Sequence, residues 1–379
     1  MKITSEERNI IRSAVKEIAE SELKPLAPKI DSDTAIPQDL FKRLSSIGLF
    51  GILSPQEYGG VGADLGTMMA VTSELAKACA STALVISNHN LACSLLTEFS
   101  SEEQKSRLIP HLSSGKTIGA VAISEGPSSL DLEAIKTLSV KKNEDSYTLN
   151  GMKPFVVNGT FADVFIILSR VSSTNYQFLI VEKGSQGFVQ EKNIPLLGVR
   201  AAGITALHLD DVRVPKGDAL GTEEDAPELL RSAQEGTWFE YASLAAGIGM
   251  AALDASIRYA TQRTQFGKAI GKFGTIQEMI FAIANNVEAV AALMEQIVRI
   301  EDPDKRWEAA AATKVRATRT ATESAKYALK IHGGYGFIKD YPVERYVRDA
   351  KSLEILGDIN EDLKTLYAIK TLGYNDNKG

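Results

Sequence analysis

The sequence predicts an α–β–α chain of three domains, because its hydrophobic periodicity changes twice along its length. In the first third, apolar residues such as Ile10, Ile11 and Val15 recur at the spacings of an amphipathic helix. The middle third instead has short β-branched and aromatic runs separated by Gly, Asn, Asp and Pro. The helical spacing then returns. We expect a helical domain over 1–117, a β-domain over 118–226 and a second helical domain over 227–379.

Individual elements follow from the same patterns. Short runs of three to six residues rich in apolar and β-branched types, bounded by turn residues, favour strands, and long Ala- and Leu-rich periodic segments favour helices. The predicted strands cover 118–123, 147–149, 155–157, 164–168, 178–181 and 207–209, and the predicted C-terminal helices cover 242–261, 275–300 and 305–331.

Composition argues against several functional classes. A chain of 379 residues with 44% hydrophobic content exceeds one typical core, and its net charge of −6 disfavours a nucleic-acid partner. The N-terminus is polar and no apolar run approaches ~18 residues, so we expect a cytoplasmic protein without membrane insertion. Cys79 and Cys93 lack metal-ligand spacing, which favours buried reduced thiols and predicts no metal site.

Three motifs closely resemble those of the acyl-CoA dehydrogenases. They are Arg-Thr-Gln-Phe-Gly-Lys at 263–268, Asp-Asp-Val-Arg-Val-Pro at 210–215 and His-Gly-Gly-Tyr-Gly-Phe at 332–337. The likeness extends over essentially the whole chain. It implies that family's fold, with a helical N-terminal domain, a small β-barrel in the middle and a helical C-terminal bundle.

The resemblance also implies FAD as the cofactor, held across a subunit boundary in a homotetramer. Arg263 offers a planar, permanently charged fork that suits a pyrophosphate, and Gly333 and Gly334 allow a close backbone approach. Taken alone, each feature is more often structural, as a paired charge or a helix end. The flavin-binding residues that the resemblance implies are Ser124, Phe155, Val157, Arg263, Gln265, Phe266, Phe273, Lys330, Gly333 and Gly334.

Two of these positions, and one beside the substrate, depart from the family pattern. Val157 replaces a common Thr or Ser, and Lys330 replaces a Gln on the pyrophosphate side. Leu130 replaces a Ser. Lost hydroxyls remove ~1 kcal/mol per hydrogen bond, whereas Lys330 could neutralise a phosphate charge.

The catalytic position departs furthest. Where the family signature usually continues to a Glu that removes the α-proton of an acyl thioester, this chain has Gly357. Some relatives place the Glu on an earlier helix, and the matching residue here is Thr237. Asp358 follows the empty position, but one residue along a helix rotates a side chain by ~100°. The usual base is therefore missing.

Two residues are candidates for a relocated base. Glu240 lies three residues beyond Thr237, about one helical turn away, and a desolvated carboxylate has the raised proton affinity that a general base needs. A simple ion pair is the more common explanation for such a Glu. His89 lies on an early helix from which some relatives supply an acid, although a packing role is more common for a His there.

The substrate side retains some family features. Glu235 matches an acidic residue that contacts pantetheine, whereas Trp238 replaces a customary Arg. This combination leaves both CoA and a carrier protein open as the thioester carrier. Leu130, Glu235, Thr237 and Tyr241 are the expected substrate contacts.

We therefore expect an FAD-dependent oxidoreductase for acyl thioesters whose base is relocated or absent, acting on a cyclic or conjugated acyl group. An electron-transfer flavoprotein is the partner that the family implies. Two alternatives remain open, a catalytically degenerate paralogue that acts as a binding or structural subunit and a flavin monooxygenase-like member of the fold.

Overall fold

The N-terminal part of the computed structural model, which describes residues 5–373, is a layer of six helices. Asp64 caps one of them by accepting a hydrogen bond from the Thr67 amide at 2.8 Å, and Ser101 and Gln104 form a capping box on another. The bounds are α1 Ser5–Ile18, α2 Lys24–Asp33, α3 Gln38–Ser46, α4 Leu65–Ala78, α5 Ala80–Phe99 and α6 Glu102–Ser113.

The middle part is one eight-stranded sheet with the order β6-β7-β3-β2-β4-β5-β8, and β1 pairs in parallel with β4. The two ends of this path, β6 and β8, do not pair with each other within the described residues. The bounds are β1 Gly119–Ala122, β2 Leu138–Asn143, β3 Ser146–Val156, β4 Val164–Arg170, β5 Tyr176–Glu182, β6 Phe188–Gln190, β7 Thr205–Pro215 and β8 Ala219–Leu220.

Two differences from the predicted strands have local causes. The predicted runs at 147–149 and 155–157 belong to one long strand, β3, which shifts register against β7 on both sides of Gly151. Strand β2 was not predicted because most of its residues, Leu138 and Val140 included, are exposed, so no buried run marks it.

The C-terminal part is a bundle around α7, which packs against α4, α5, α8 and α9. Helix α7 begins well before the predicted 242–261. Its earlier start was missed because both sides of the helix are buried, which removes the one-sided apolar pattern that marks a surface helix. The bounds are α7 Ala226–Gln262, β9 Thr264–Gln265, β10 Lys268–Ala269, α8 Gly274–Ile297, α9 Pro303–His332, α10 Val343–Leu353 and α11 Asn360–Thr371.

Helix α8 differs from the rest of the bundle. It is the one described helix that is long and apolar enough to cross a membrane, yet only 11% of its apolar window is buried within the chain. Phe281 leaves 70% of its surface exposed. One face of α8 is thus apolar and uncovered.

Two anchored loops shape the space between the sheet and the bundle. The 196–199 loop lies on α10, where Ser352 Oγ accepts from the Gly198 amide at 3.0 Å and Asp349 Oδ1 accepts from the Val199 amide at 2.7 Å. Gly198 is required there, since a Cβ would lie 2.3 Å from the Arg348 carbonyl oxygen. The α10–α11 loop is held by the fully buried Lys314, which donates to the Asp358 carbonyl at 2.6 Å.

Candidate functional site

A cavity of about 560 Å³, here called the central cavity, lies where the β-domain meets α7 and the α10–α11 loop. Exposed apolar side chains form much of its wall, including Phe155 at 61% exposure and Ile355 at 57%. Its lining contains five of the predicted contacts together with the empty base position: Ser124, Phe155, Val157, Thr237, Tyr241 and Gly357.

Gly357 is enclosed by side chains of α7. Its φ is +62°, a backbone region that favours glycine, and a Cβ added there would lie 2.4 Å from Cδ2 and Cε2 of Tyr241 and 3.1 Å from Thr237 Cγ2. The Tyr241 ring therefore occupies the space into which a longer side chain at position 357 would extend. The Tyr241 ring thus fills the space that the side chain of the usual base would need.

Asp358 lines the same cavity but its carboxylate is fully engaged. Oδ1 accepts from the Ser129 amide at 2.5 Å and from Ser128 Oγ at 3.3 Å, and Oδ2 accepts from Ser129 Oγ at 2.8 Å and from Trp238 Nε1 at 2.8 Å. These four donors satisfy the acceptor capacity of the carboxylate. Asp358 therefore joins the 128–129 loop to α7 instead of replacing the missing base.

Tyr241 is 2% exposed and lines the central cavity. Burial and the nearby carboxylates of Glu240 and Asp358 raise its pKa well above the ordinary value of 10.0. The phenol thus stays neutral at physiological pH and remains able to donate a hydrogen bond into the central cavity.

Glu240 lies instead in a second cavity of about 300 Å³, here called the side cavity, between α4, α5 and α7. The residue is 5% exposed and neither carboxylate oxygen has a hydrogen-bond partner. Burial raises its pKa to about 8, and the nearby polar side chains of Ser87 and Asn88 offset only part of that shift. A buried carboxylate without a partner is costly, which marks this position as unusual.

Helix geometry explains why Glu240 and Thr237 line different cavities. Three residues turn a side chain by about 300°, so it lies some 60° short of its starting direction. Four residues turn it by about 400°, so it lies about 40° beyond that direction, on the other side. Tyr241 consequently shares the central cavity with Thr237, and Glu240 does not. The sequence predicted that Glu240 faces the substrate on the same side of the helix as Thr237. In the structure, Thr237 lines the central cavity and Glu240 does not.

Three other predicted residues lie away from the central cavity. His89 is fully buried, with Nε2 3.0 Å from the Phe50 carbonyl and Nδ1 accepting from the Gly119 amide at 3.0 Å, and burial lowers its pKa to about 4. With both ring nitrogens engaged, His89 has the packing role. Leu130 packs in the Trp238 cluster instead of contacting the cavity, and Glu235 lines the side cavity, where it pairs with Arg306 at 2.6 Å.

Some residues of the site were not identified from the sequence. Asn88 lines the central cavity, and its Oδ1 is buried without a hydrogen-bond partner. Lys314 is fully buried beneath the α10–α11 loop, and burial lowers its pKa to about 7. A polar residue inside an apolar helical stretch is the only sequence signal for either, and it does not specify which cavity or loop the residue reaches.

The predicted adenosine side of the flavin site forms a third space, a cleft of about 720 Å³ between the β9–β10 hairpin and the end of α9. Arg263 lies 5.3 Å from the centre of the Tyr335 ring, and the Phe266 side chain is 92% exposed. Lys330 is exposed, stacks near Tyr327 and does not line the cleft. The predicted residues that do line it are Arg263, Gln265, Phe266, Phe273, Gly333 and Gly334.

The two larger spaces fit a flavin dinucleotide. Uncovered apolar walls in the central cavity suit a flat aromatic ring, and the cleft offers a guanidinium beside glycines whose added Cβ atoms would meet nothing within 4 Å. A flavin bound here supplies hydride transfer with the β-carbon of a thioester, and the protein supplies binding and proton chemistry.

Comparisons with known proteins agree with this arrangement. The chain matches the models for the acyl-CoA dehydrogenase N-terminal domain over 5–116, middle domain over 120–212 and C-terminal domain over 239–363. It is 34% identical over 368 residues to an acryloyl-CoA reductase (NADH) of Anaerotignum propionicum, covering 96% of this chain and 93% of that protein. It is 33% identical over 370 residues to a short-chain specific acyl-CoA dehydrogenase of Clostridium acetobutylicum, covering 96% and 97%. The butyryl-CoA dehydrogenase structure from Megasphaera elsdenii superposes with a TM-score of 0.91 at 28% identity, covering 98% of this chain and 99% of that one.

The chain therefore belongs to the acyl-CoA dehydrogenase family of FAD-dependent oxidoreductases that act on CH–CH bonds of acyl-CoA.

Proposed function

We propose that this protein oxidises or reduces an unusual acyl thioester without a carboxylate at the family's usual base position. The observation that carries the proposal is the packing of Tyr241 over Gly357, with added-Cβ distances of 2.4 Å. A carboxylate could not be accommodated there without moving the ring. Of the acids near the central cavity, Asp358 already accepts four hydrogen bonds and so is a poor general base.

The acyl group that suits such a site is cyclic or conjugated. A conjugated or ring-activated C–H bond is more acidic than the α-C–H of a saturated straight chain, so it depends less on a strong positioned base. The apolar central cavity of about 560 Å³ offers room for a ring beside a flavin. The neutral Tyr241 hydroxyl would donate a hydrogen bond to developing negative charge on the thioester.

Glu240 remains the candidate for a relocated base. Its pKa of about 8 suits a general base near neutral pH, and it has no partner to neutralise it. Its position in the side cavity requires the reacting carbon to come within reach of α5 and α7 from that side. The carrier in this proposal is CoA or a carrier protein, since Trp238 is committed to Asp358 and offers no cation to a phosphate.

The proposed assembly is a cytoplasmic homotetramer that exchanges electrons with an electron-transfer flavoprotein. Support for association comes from the exposed apolar face of α8 and from the cleft, whose wall includes the 92%-exposed Phe266. Such surfaces mark interaction sites. A second copy of the chain would cover α8 and complete the flavin site.

The test uses butyryl-, octanoyl- and isovaleryl-CoA with purified, flavin-loaded protein and an artificial electron acceptor. We expect turnover ~10²–10⁴-fold below ordinary rates, because a positioned base is missing. Turnover at ~10 s⁻¹ would contradict the proposal. A flavin absorbance spectrum of the protein as purified, before any flavin is added, addresses the degenerate paralogue, which predicts a protein that does not retain flavin.

A further inference from the structure

The side cavity holds an arrangement that flavin chemistry does not explain. It lies between three helices and is lined by apolar residues of α4, such as Met68 and Met69, and by polar residues of α5 and α7. At its inner wall Glu240 is 5% exposed and both of its oxygens lack a partner. A group that is buried and unpartnered in a cavity of about 300 Å³ has room for a ligand to supply the missing hydrogen bonds.

The charges around this cavity indicate the sign of that ligand. The charged groups facing it are Glu98 on α5, Glu235 and Glu240 on α7, and Arg306 on α9. Arg306 Nε is already paired with Glu235 at 2.6 Å, which leaves the other two carboxylates without a cation. Glu98 is exposed and its pKa is raised, first by burial and then by Glu228 and Glu235. Once Glu240 ionises, the balance is negative, and the lining then favours a cation that donates hydrogen bonds.

The position of this cavity links it to the acyl group. Adjacent residues of the same two helices line the two cavities: Ser87 and Asn88 on α5, and Glu240 and Tyr241 on α7. The two cavities are therefore neighbours across these residues, and Glu240 lies one residue from Tyr241, which covers Gly357. We propose that the side cavity receives the far end of the acyl group and that Glu240 selects an acyl group ending in an ammonium. This inference rests on the proposed function, because it names the substrate class of that site.

The binding consequences follow from the chemistry of the pair. An ammonium supplies three donors to the two Glu240 oxygens, and charge-assisted hydrogen bonds of this kind contribute about 1.5–3 kcal/mol, or roughly 10- to 100-fold in affinity. Ammonium binding also favours the ionised carboxylate. The affinity for an aminoacyl ligand should therefore rise between pH 6 and pH 8.5 as Glu240 ionises, whereas that for a neutral ligand should not.

The experiment measures binding of 6-aminohexanoyl-CoA, its neutral isostere heptanoyl-CoA and the anionic adipyl-CoA by titration calorimetry at pH 8. We expect wild-type protein to prefer 6-aminohexanoyl-CoA over heptanoyl-CoA by at least about tenfold and to bind adipyl-CoA weakest. Glu240→Gln should remove the preference while leaving heptanoyl-CoA affinity unchanged. Glu98→Gln, at the exposed end of the same cavity, is the matched control and should keep it.

The outcomes separate the two proposals. Binding of heptanoyl-CoA as tight as that of 6-aminohexanoyl-CoA to wild-type protein overturns the ammonium inference and leaves the proposed function standing. Failure of all three thioesters to bind to the folded, flavin-loaded protein also overturns the ammonium inference and leaves the proposed function standing, because that function admits a cyclic acyl group or a carrier protein. A preference that survives in a folded Glu240→Gln variant shows that the cation is recognised elsewhere, which also overturns the role of Glu240.

Discussion

At the scale of single residues, the site is determined by what surrounds position 357. A glycine there could be a simple loss that a single substitution would repair. The structure shows otherwise, because Tyr241 fills the space and the backbone at Gly357 has a φ of +62°. The residue and its neighbour therefore form one unit, and only changing both tests the missing base.

The first prediction concerns that unit. Gly357→Glu alone should destabilise the fold by roughly 2–4 kcal/mol, from ring overlap and a left-handed backbone, without useful activity. Gly357→Glu combined with Tyr241→Ala should reduce flavin with butyryl-CoA ~10²-fold faster than wild type, because a base is restored and has room. Stopped-flow flavin reduction measures this, with Gly357→Gln/Tyr241→Ala as the control. Equal rates for the Glu and Gln double variants would show that the carboxylate is not acting as a base.

The second prediction concerns Glu240 and pH. Its pKa is about 8 in the folded protein against 4.5 unfolded, so the folded state holds a proton that the unfolded state has already lost. Stability is therefore fully present below pH 4.5 and falls by about 1.4 kcal/mol per pH unit as the pH rises towards 8. Glu240→Gln should remove this loss and raise the Tm at pH 8 more than at pH 5. A Tm gain that is the same at both values would show that Glu240 is not a buried titrating group.

The same variant separates the two roles considered for Glu240. A relocated base predicts that Glu240→Gln slows flavin reduction ~10²-fold for every substrate that wild type uses. Recognition of an ammonium predicts instead a loss of affinity confined to cationic acyl groups. Single-turnover reduction with a neutral substrate therefore decides between them.

At the scale of elements, the flavin site depends on how hairpins and helix ends meet. The β9–β10 hairpin places Arg263 beside the Tyr335 ring, and the end of α9 places Gly333 in the left-handed region with φ +57°. These pieces are 70 residues apart in sequence, and α7, α8 and α9 bring them together. Lys330 lies in the last turn of α9, just before these glycines, but is exposed beside Tyr327.

The third prediction compares these two cations. Arg263→Ala should lower flavin occupancy after gel filtration, because a bidentate guanidinium–phosphate contact is lost. Lys330→Ala should leave occupancy unchanged, since Lys330 does not line the cleft. Flavin absorbance per protein chain measures both. Equal occupancy in Arg263→Ala and wild type would remove the proposed role of Arg263.

At the scale of the whole molecule, the chain leaves an apolar helix uncovered. Helix α8 is long and apolar enough to span a membrane, and most of its apolar window is exposed in this bundle. The start of the helix, at Thr275, lines the cleft together with Phe273. A neighbouring copy of the chain would bury that surface, and burial of apolar area contributes about 25 cal/mol per Å². Assembly and cofactor retention should therefore be coupled.

The fourth prediction tests that coupling. Phe281→Glu should reduce the molar mass in light scattering and lower flavin occupancy together, because it places a charge on the 70%-exposed ring position of α8. Val140→Glu, a comparable change at a 51%-exposed apolar residue of β2, should alter neither. A Phe281→Glu protein with unchanged mass and flavin content would show that this face of α8 is not part of the assembly.

The sequence by itself determined the α–β–α order, most strand positions and the absence of a carboxylate at Gly357, because local periodicity and contiguous motifs encode these features. Only the tertiary structure decided which groups meet at the site. That Tyr241 covers Gly357, that Asp358 is committed to Ser129 and Trp238, and that Glu240 lies in a separate cavity all depend on contacts between segments more than 100 residues apart. The physical reason is geometric: Glu240 lies about 60° to one side of Thr237 on α7 and Tyr241 about 40° to the other side, so the two point about 100° apart, and only the packing of neighbouring helices determines which cavity each one lines.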